Sequence, residues 1–455
     1  MATEQDDRLT VIVGLGGTGL SCVRYFAHLG ERFKVVDSRE APPGLATLRE
    51  MYPDVEYELG EFRQETFLAA KQLVVSPGVS IHIPVIEAAM NAGVPITGDI
   101  DIFAKRVTAP IVAVTGSNGK STVVAMLTEI LKKAGKSFGL GGNLDGENFK
   151  PALDLLAEEE KELYVLELSS FQLETTERLG AQVATILNIS ADHMDRYDVL
   201  EDYHRAKQRI FIGCEQVVVN RDDRDSYPPQ DCDATVWDFG LGKPGMNGLG
   251  LLEEDGDRYL AFQFEKIVSV NELKVFGQHN VANVMAAIAL AMAIDIDMHA
   301  IKAAVREFAG LPHRCQWVAN IGGVDFYNDS KGTNVAATVA AIEGLGEHIS
   351  GHIVLIAGGI SKGADFAPLI PAMNKWGKAV VLIGQDAAEM AGYFDADIQT
   401  FFAGDMGEAA SLALQQASGG DAVLLSPACA SFDMYSGFVA RGDDFSARAR
   451  KVCHD

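Results

Sequence analysis

Short runs of Val, Ile and Leu recur along the chain. Between them lie longer stretches in which apolar and polar residues follow helical spacing. The runs at 10–13, 34–36, 73–75, 111–114, 163–166, 184–187, 217–219, 352–356, 379–383 and 422–425 read as strands. Most are apolar throughout, without the alternation of a sheet with one wet face. They predict strands of parallel sheets covered on both sides. Helical patterns at 20–29, 122–134, 203–211 and 335–343 lie among them. Repeated βαβ units, and so the α/β class, follow. The most apolar helical stretch, 284–294, is Ala-rich and stops at Asp295. It is too short to span a bilayer and predicts a buried helix. The segment 222–272 breaks the rhythm: it is polar and Gly-rich and predicts an antiparallel or loop insertion.

Length and charge narrow the picture. A chain of 455 residues suggests about three domains at roughly 150 residues each. Breaks in the pattern fall near 97–110 and 310–312. Lys and Arg total 38 against 63 Asp and Glu, a formal net charge of −25. So acidic a chain lacks the diffuse cationic surface that nucleic acid or an anionic membrane requires. How it holds a polyanionic ligand becomes the question. The acidic, polar start is unlike a signal peptide. The six cysteines are scattered, with no C-x-x-C pair. They predict reduced thiols and a cytoplasmic protein.

Two glycine loops carry the candidate chemistry. Gly14-Leu15-Gly16-Gly17-Thr18-Gly19 lies between a strand and a helix, and Asp37 ends the next strand. Such a loop lets backbone amides approach a diphosphate, with the acid near a ribose. It does not identify a nicotinamide, and a tight turn needing glycine for packing alone is the other reading. Gly116-Ser117-Asn118-Gly119-Lys120-Ser121 resembles a shortened Walker A loop. Lys120 would reach the β- and γ-phosphates and Ser121 a Mg²⁺ ion. Two such loops exclude the simplest dehydrogenase.

Further candidates sit at later strand ends. Glu167 ends the strand 163–166 and is placed for the second magnesium contact; a carboxylate facing solvent or capping a helix is the other reading. His193 follows another strand, within Asp192-His193-Met194-Asp195-Arg196. Lys207 reads as an ordinary lysine on a helix face. Asn280 and Asn283 share one face of the Ala-rich helix; the alternative is helix capping by His279 or Asn280. In the last third, the loops at 328–334, 358–363 and 426–433 follow three strands and predict one polar rim. The basic stretch 441–451 predicts the solvated face of a terminal helix.

As a set, Gly-Ser-Asn-Gly-Lys-Ser (116–121), Glu-Leu-Ser-Ser-Phe-Gln (167–172), Asp-His-Met-Asp-Arg-Tyr (192–197), Gly-Gln-His-Asn (277–280), Leu-Pro-His-Arg (311–314), Asn-Asp-Ser-Lys-Gly-Thr-Asn (328–334) and Ser-Pro-Ala-Cys-Ala-Ser (426–431) resemble the Mur ligase family over essentially the whole chain. The likeness is strongest to its D-glutamate-adding branch. It implies an α/β chain of three domains: a Rossmann-like UDP-substrate domain at 1–98, a P-loop ATP domain at 99–310 and a Rossmann-like amino-acid domain at 311–455. The implied activity is ATP-dependent ligation of D-glutamate to UDP-N-acetylmuramoyl-L-alanine through an acyl phosphate, in peptidoglycan precursor synthesis.

By resemblance, Gly17, Thr18, Asp37, Ser38, Arg39, Gly78, Asn143 and His193 would contact the UDP substrate. Gly116, Asn118, Gly119, Lys120, Ser121, Asn280, Asn283, Arg314, Asp329 and Lys331 would bind ATP. Thr333, Lys362, Ser431 and Phe438 would meet D-glutamate. Two Mg²⁺ sites would draw on Ser121, Glu167, His193 and Lys207, the last as a carbamate, a role its position on a helix does not suggest. Lys120, Glu167, His193 and Lys207 are the implied catalytic set. A monomer acting on small molecules is expected. Ser121 is followed by Thr122 where the family often has two threonines, and the Asp-Asn-Pro-Arg motif tied to diaminopimelate is absent. Other readings remain open: an L-alanine-adding or folylpolyglutamate-type ligase, a nicotinamide oxidoreductase using only the first loop, or a non-catalytic ATP-binding regulator.

Overall fold

The computed structural model describes residues 8–143, 150–192, 196–197, 199–275, 277–394 and 398–452. Its described strands form three sheets in chain order. The first joins β1 (Thr10–Val13), β2 (Phe33–Asp37), β3 (Glu56–Leu59), β4 (Gln72–Val75) and β5 (Ile96–Thr97) in the order β3-β2-β1-β4-β5. All its pairs are parallel. The order reverses direction between β1 and β4, the place where open α/β sheets bind ligands.

The second sheet contains β6 (Ile111–Thr115), β7 (Phe138–Gly142), β8 (Leu163–Glu167), β9 (Val183–Ile186), β10 (Gln216–Asn220), β11 (Thr235–Phe239), β12 (Gly248–Glu254), β13 (Asp257–Phe262) and β14 (Glu265–Ser269). Their order is β14-β13-β12-β11-β10-β9-β6-β8-β7. The expected antiparallel insertion is present in β12, β13 and β14. It does not stand apart, because β11 pairs in parallel with both β10 and β12 and fuses it to the main sheet.

The third sheet has β15 (Gln316–Ile321), β16 (Val324–Asn328), β17 (Ile353–Gly358), β18 (Gly377–Ile383), β19 (Gln399–Phe402) and β20 (Ala422–Leu425), ordered β15-β16-β20-β17-β18-β19. It is parallel except for the β15–β16 hairpin. β16, β20 and β17 are neighbours, so the three polar loops that follow them do form one rim.

The strands predicted from apolar runs are all present, with shifts of a few residues at their ends. The helix Gln278–Ala293 is buried along nearly all of its length against the helix Lys120–Lys133. One apolar cluster runs from Ile12 and Phe26 of the first sheet unit through Ile100 and Phe103 to Ala113 and Ile186 of the second. The first two sheets therefore share a core, which fixes the crevice between them. Among the described residues no helix is long and apolar enough to cross a membrane.

One expectation fails at the C-terminus. The last helix, Phe438–Val452, begins with a buried arginine rather than a wholly solvated basic face. Arg441 is 1% exposed and donates to the Ser330 Oγ at 3.0 Å, the Ser330 carbonyl at 2.9 Å and the Cys429 carbonyl at 3.1 Å. Its guanidinium staples two loops of the rim together. Burial lowers its pKa to about 10, and its charge at neutral pH is satisfied by these acceptors.

Candidate active site

The first cavity, about 420 Å³, opens at the β1/β4 reversal. Its lining includes Gly17, Thr18, Asp37, Ser38, Arg39, Gly78 and Asn143, which brings every described residue expected at the UDP group to one place. The loop needs its glycines. Gly14 has φ +96, and a Cβ on Gly19 would run into the Gly14 carbonyl oxygen. The helix Gly17–His28 starts with no side-chain cap, so its first N–H groups face the cavity.

Asp37 is 2% exposed and is used internally. Its Oδ2 accepts from Leu15 N at 2.7 Å and from Arg39 Nη2 at 2.7 Å; its Oδ1 accepts from Arg39 Nε at 2.8 Å. Burial pushes this carboxyl up, but the Arg39 guanidinium and two backbone N–H groups outweigh it and hold it below the usual range. Asp37 thus pins the glycine loop and aims Arg39. Gly142 and Gln172 also line the cavity, although neither was singled out from sequence. Gln172 arrives there through a capping box with Ser169.

The second cavity, about 330 Å³, lies between the second and third sheets. Asn118, Gly119, Asn280, Asn283, Arg314, Asp329 and Lys331 all line it. Asn283 Nδ2 reaches Asn280 Oδ1 at 3.4 Å, and the helix they share is capped by Gly277 without a side-chain bond, so neither His279 nor Asn280 is a cap. Gly119 has φ +86, and a Cβ there would strike the Asn283 amide. Asp329 is held by Ser426 Oγ at 2.7 Å and Cys315 N at 3.1 Å, and burial raises its pKa to about 6. The third-sheet unit touches the glycine loop directly. Arg314 Nη2 donates to Ser121 Oγ at 2.9 Å, and Asn334 Nδ2 to Asn118 Oδ1 at 3.2 Å.

Two lysines meet beneath this loop. Lys120 Nζ donates to the carbonyls of Gly116 (2.8 Å) and Ser117 (3.1 Å). Lys207 is 2% exposed, and its Nζ donates to the same Gly116 carbonyl at 3.0 Å and to Thr115 Oγ1 at 3.1 Å. Burial pushes both amines down. Lys207 falls far below the lysine range, with the Lys120 charge adding to the effect. Reading Lys207 as an exposed helix lysine is therefore wrong; the apolar face of its helix, Leu200–Gln208, is turned inward. Tyr203, one turn before it, places its ring 4.7 Å from Lys207 Nζ and its hydroxyl 3.1 Å from Ser117 Oγ.

Glu167 ends β8 opposite Val114 of β6, so its buried carboxylate sits beside the start of the loop. Its carbonyl accepts from Asn143 N at 2.7 Å, which ties the end of β8 to the first cavity. Ser121 Oγ and the Glu167 carboxylate are hard oxygen donors of the kind Mg²⁺ takes alongside phosphate oxygens, so this donor set fits the ion. His193 lies outside the described residues. Arg196, from the same motif, is described. It donates to the Pro77 carbonyl at 2.7 Å and the Val79 carbonyl at 3.3 Å, pairs with Glu174 at 2.8 Å, and stacks 4.0 Å over Phe171. It thereby holds the Gly78 turn of the first cavity from the second sheet unit.

The residues expected at the amino acid lie on the third-sheet rim. Ala428 N bonds the Gly332 carbonyl at 2.9 Å, and Ile360 and Ala430 exchange bonds at 2.9 and 3.0 Å. These contacts draw the loops carrying Thr333, Lys362 and Ser431 together. Phe438 joins them through Lys331, whose Nζ lies 4.0 Å over its ring. Lys362 is exposed, with φ 54.

Known proteins resemble the chain over nearly its whole length. Residues 8–98 match the family described as Mur ligase MurD-like, N-terminal domain; 114–291 match Mur ligase middle domain; 313–429 match Mur ligase, glutamate ligase domain. A UDP-N-acetylmuramoylalanine--D-glutamate ligase of Pseudomonas aeruginosa is 51% identical over 452 residues, covering 99% of this chain and 100% of that one. A protein of the same name from Pseudomonas syringae pv. tomato is 50% identical over 440 residues, 97% of each. Among solved structures, MurF from Acinetobacter baumannii superposes with a TM-score of 0.63 at 16% identity, covering 96% of this chain and 90% of that one, a likeness of fold. The chain belongs to the Mur ligase family.

Proposed function

We propose that this chain is an ATP-dependent, ADP-forming ligase that joins D-glutamate to UDP-N-acetylmuramoyl-L-alanine in peptidoglycan precursor synthesis. The observation that carries the reading is the 51% identity to a ligase of that name over its whole length. The paired cavities support it. One gathers glycine-loop amides and Arg39 for a diphosphate, and the other gathers Asn118 and Gly119 of the second loop with Arg314 and Lys331, Lys120 being held on the carbonyls of that loop, for a triphosphate. The net charge of −25 is no obstacle, since both anions would be held by local amides and cations.

The domains follow the ligands: 1–98 for the UDP substrate, 99–310 for ATP and 311–455 for the amino acid. In the reaction, the alanyl carboxylate attacks the γ-phosphate to form an acyl phosphate and ADP. The D-glutamate amine then attacks that carbonyl, and the tetrahedral intermediate expels phosphate. Lys120 and the helix amides after Gly119 would stabilise the charge of the transferring group. Asn280 and Asn283 offer amides to the adenine. Asp329 and Lys331 would orient the ribose and phosphates, while Thr333, Lys362, Ser431 and Phe438 hold the incoming amino acid. Mg²⁺, when bound, would neutralise phosphate charge. Ser121 and Glu167 would hold one ion; Lys207 as a carbamate, with His193, would hold a second. Burial of Lys207 Nζ beside the loop supports that role, because an oxygen anion there faces Lys120. A cytoplasmic monomer completes the proposal.

The deciding experiment is phosphate release with ATP, Mg²⁺ and UDP-N-acetylmuramoyl-L-alanine, comparing D-glutamate, L-lysine, diaminopimelate and L-alanine. Release with D-glutamate alone is expected. Release with another amino acid, or NADH turnover without phosphate, overturns the assignment.

A further inference from the structure

A third cavity, of about 410 Å³, lies away from both nucleotide sites, at the amino end of β10. Two cysteines line it. Cys214 lies two residues before β10, and Cys232 three residues before β11. The strands are parallel, with Gln216 opposite Thr235 and the Glu215 carbonyl accepting from Thr235 N at 3.0 Å. Both cysteines lie just before this first rung, one leading into each strand. Among the described cysteines, Cys22, Cys315 and Cys429 are buried; Cys214 and Cys232 are the partly exposed ones.

We propose that Cys214 and Cys232 form a dithiol site that exchanges with small neutral or cationic disulfides and closes to a reversible internal disulfide. Both thiols line the one cavity. Burial and the neighbouring Cys232 raise Cys214 to about 12. Either cysteine can make the first attack, with the other resolving; one course starts at Cys232. Its thiolate attacks one sulfur of R–S–S–R, forming a mixed disulfide and releasing one R–S⁻. Cys214 then loses its proton and attacks Cys232 Sγ. The Cys214–Cys232 bond forms, the mixed disulfide breaks and a second R–S⁻ departs. Two protein thiols are oxidised and one small disulfide is reduced to two thiols.

The rim selects the oxidant. Glu215, Asp231 and Asp233 are exposed around the mouth, and the Arg178 side chain packs against Gly213. Three carboxylates against one guanidinium repel an anionic disulfide and attract a cationic one. No second role as a metal centre is implied: among the described residues no three His, Cys, Asp or Glu are arranged for an ion.

The test uses the reduced full-length protein and needs no variant for its main readout. Treatment with cystamine should remove two hydrogens from the intact mass and yield a Cys214–Cys232 cross-linked peptide, reversed by dithiothreitol. The rate should exceed that with glutathione disulfide by about fivefold at low salt, the gap narrowing as salt rises. In Cys214→Ser and in Cys232→Ser alike, the remaining cysteine should retain the mixed disulfide. Stable independent adducts on both cysteines of the wild-type protein, with no cross-linked peptide, overturn the site. Equal rates for the two oxidants overturn the role of the acidic rim.

Discussion

The two glycine loops occupy the same position, after a buried parallel strand and before an uncapped helix, yet their charges are arranged oppositely. Beneath the first loop sits a carboxylate, Asp37, whose partner Arg39 is half in solvent. Beneath the second sit two lysine amines sharing the Gly116 carbonyl, with Glu167 at the adjacent strand end. The first arrangement fixes a loop and presents a stable cation at the cavity mouth, which suits holding a diphosphate unchanged. In the proposed reaction, the second would set desolvated amines near the phosphate that must move, where electrostatics act in a low dielectric and differ most between ground and transition states. On the proposed function, the same backbone device would serve binding in one unit and chemistry in the other. Changes at the first loop should raise KM; changes at the second should lower kcat.

The largest test is Lys120→Ala. Loss of this donor should reduce kcat by about 1,000-fold while the UDP substrate binds nearly as before. Acyl-phosphate formation, trapped with borohydride, measures it directly; near-normal ligation would dissolve the division between the loops. Next is Lys207→Arg, which keeps the positive charge but cannot form a carbamate. A loss of about 100-fold in kcat is expected. Carbon-13 bicarbonate should give a carbamate resonance with the wild-type protein and none with the variant. Without that resonance, the buried amine would act as a lysine and the second ion would need another ligand.

Legibility from sequence differed along the same line. Both loops could be read directly, because Gly14, Gly19 and Gly119 are demanded by backbone geometry that leaves a local signature. The strand-end position of Glu167 was legible from the apolar run before it. Lys207 was not: its spacing on the helix resembles that of any surface lysine, and only tertiary packing buries it. Resemblance supplied what periodicity could not. Arg441 misled for the same reason, since its acceptors at Ser330 and Cys429 are remote in sequence. Gly-rich β7 escaped detection because it has few β-branched side chains, and Arg196 because its partners at Pro77 and Val79 belong to another sheet unit.

A smaller effect is expected at the first loop from Asp37→Asn. The amide cannot accept from both Leu15 N and the Arg39 fork, so the loop loosens and Arg39 loses its aim. KM for the UDP substrate should rise by about 10- to 100-fold, with kcat changed far less. The pH dependence gives a second check. Asp37 has a lowered folded pKa, so its contribution to stability is present above the ordinary carboxylate pKa of about 3.9 and disappears as pH falls through the lower folded value. The stability gap between wild type and the variant should close on acidification. A gap that widened instead would mean that Asp37 is not stabilised by its ion pair.

The smallest effect tests whether the comparison extends across the sheet boundary. Arg196 belongs to the second unit but holds the Pro77–Val79 turn of the first cavity, and its ion pair with Glu174 is largely buried. If the first unit only binds, releasing that turn should affect affinity alone. Arg196→Ala should raise KM for the UDP substrate by roughly three- to tenfold with kcat within about twofold of wild type. Arg196→Lys, which keeps the Glu174 pair but cannot reach both carbonyls in a fork, should fall between the two. The ATP KM serves as the control, because the Gly116–Ser121 loop has its own contacts. An equal rise in both KM values would show that Arg196 supports the whole crevice rather than one turn. A loss confined to kcat would move it from the binding side of the molecule to the chemical side.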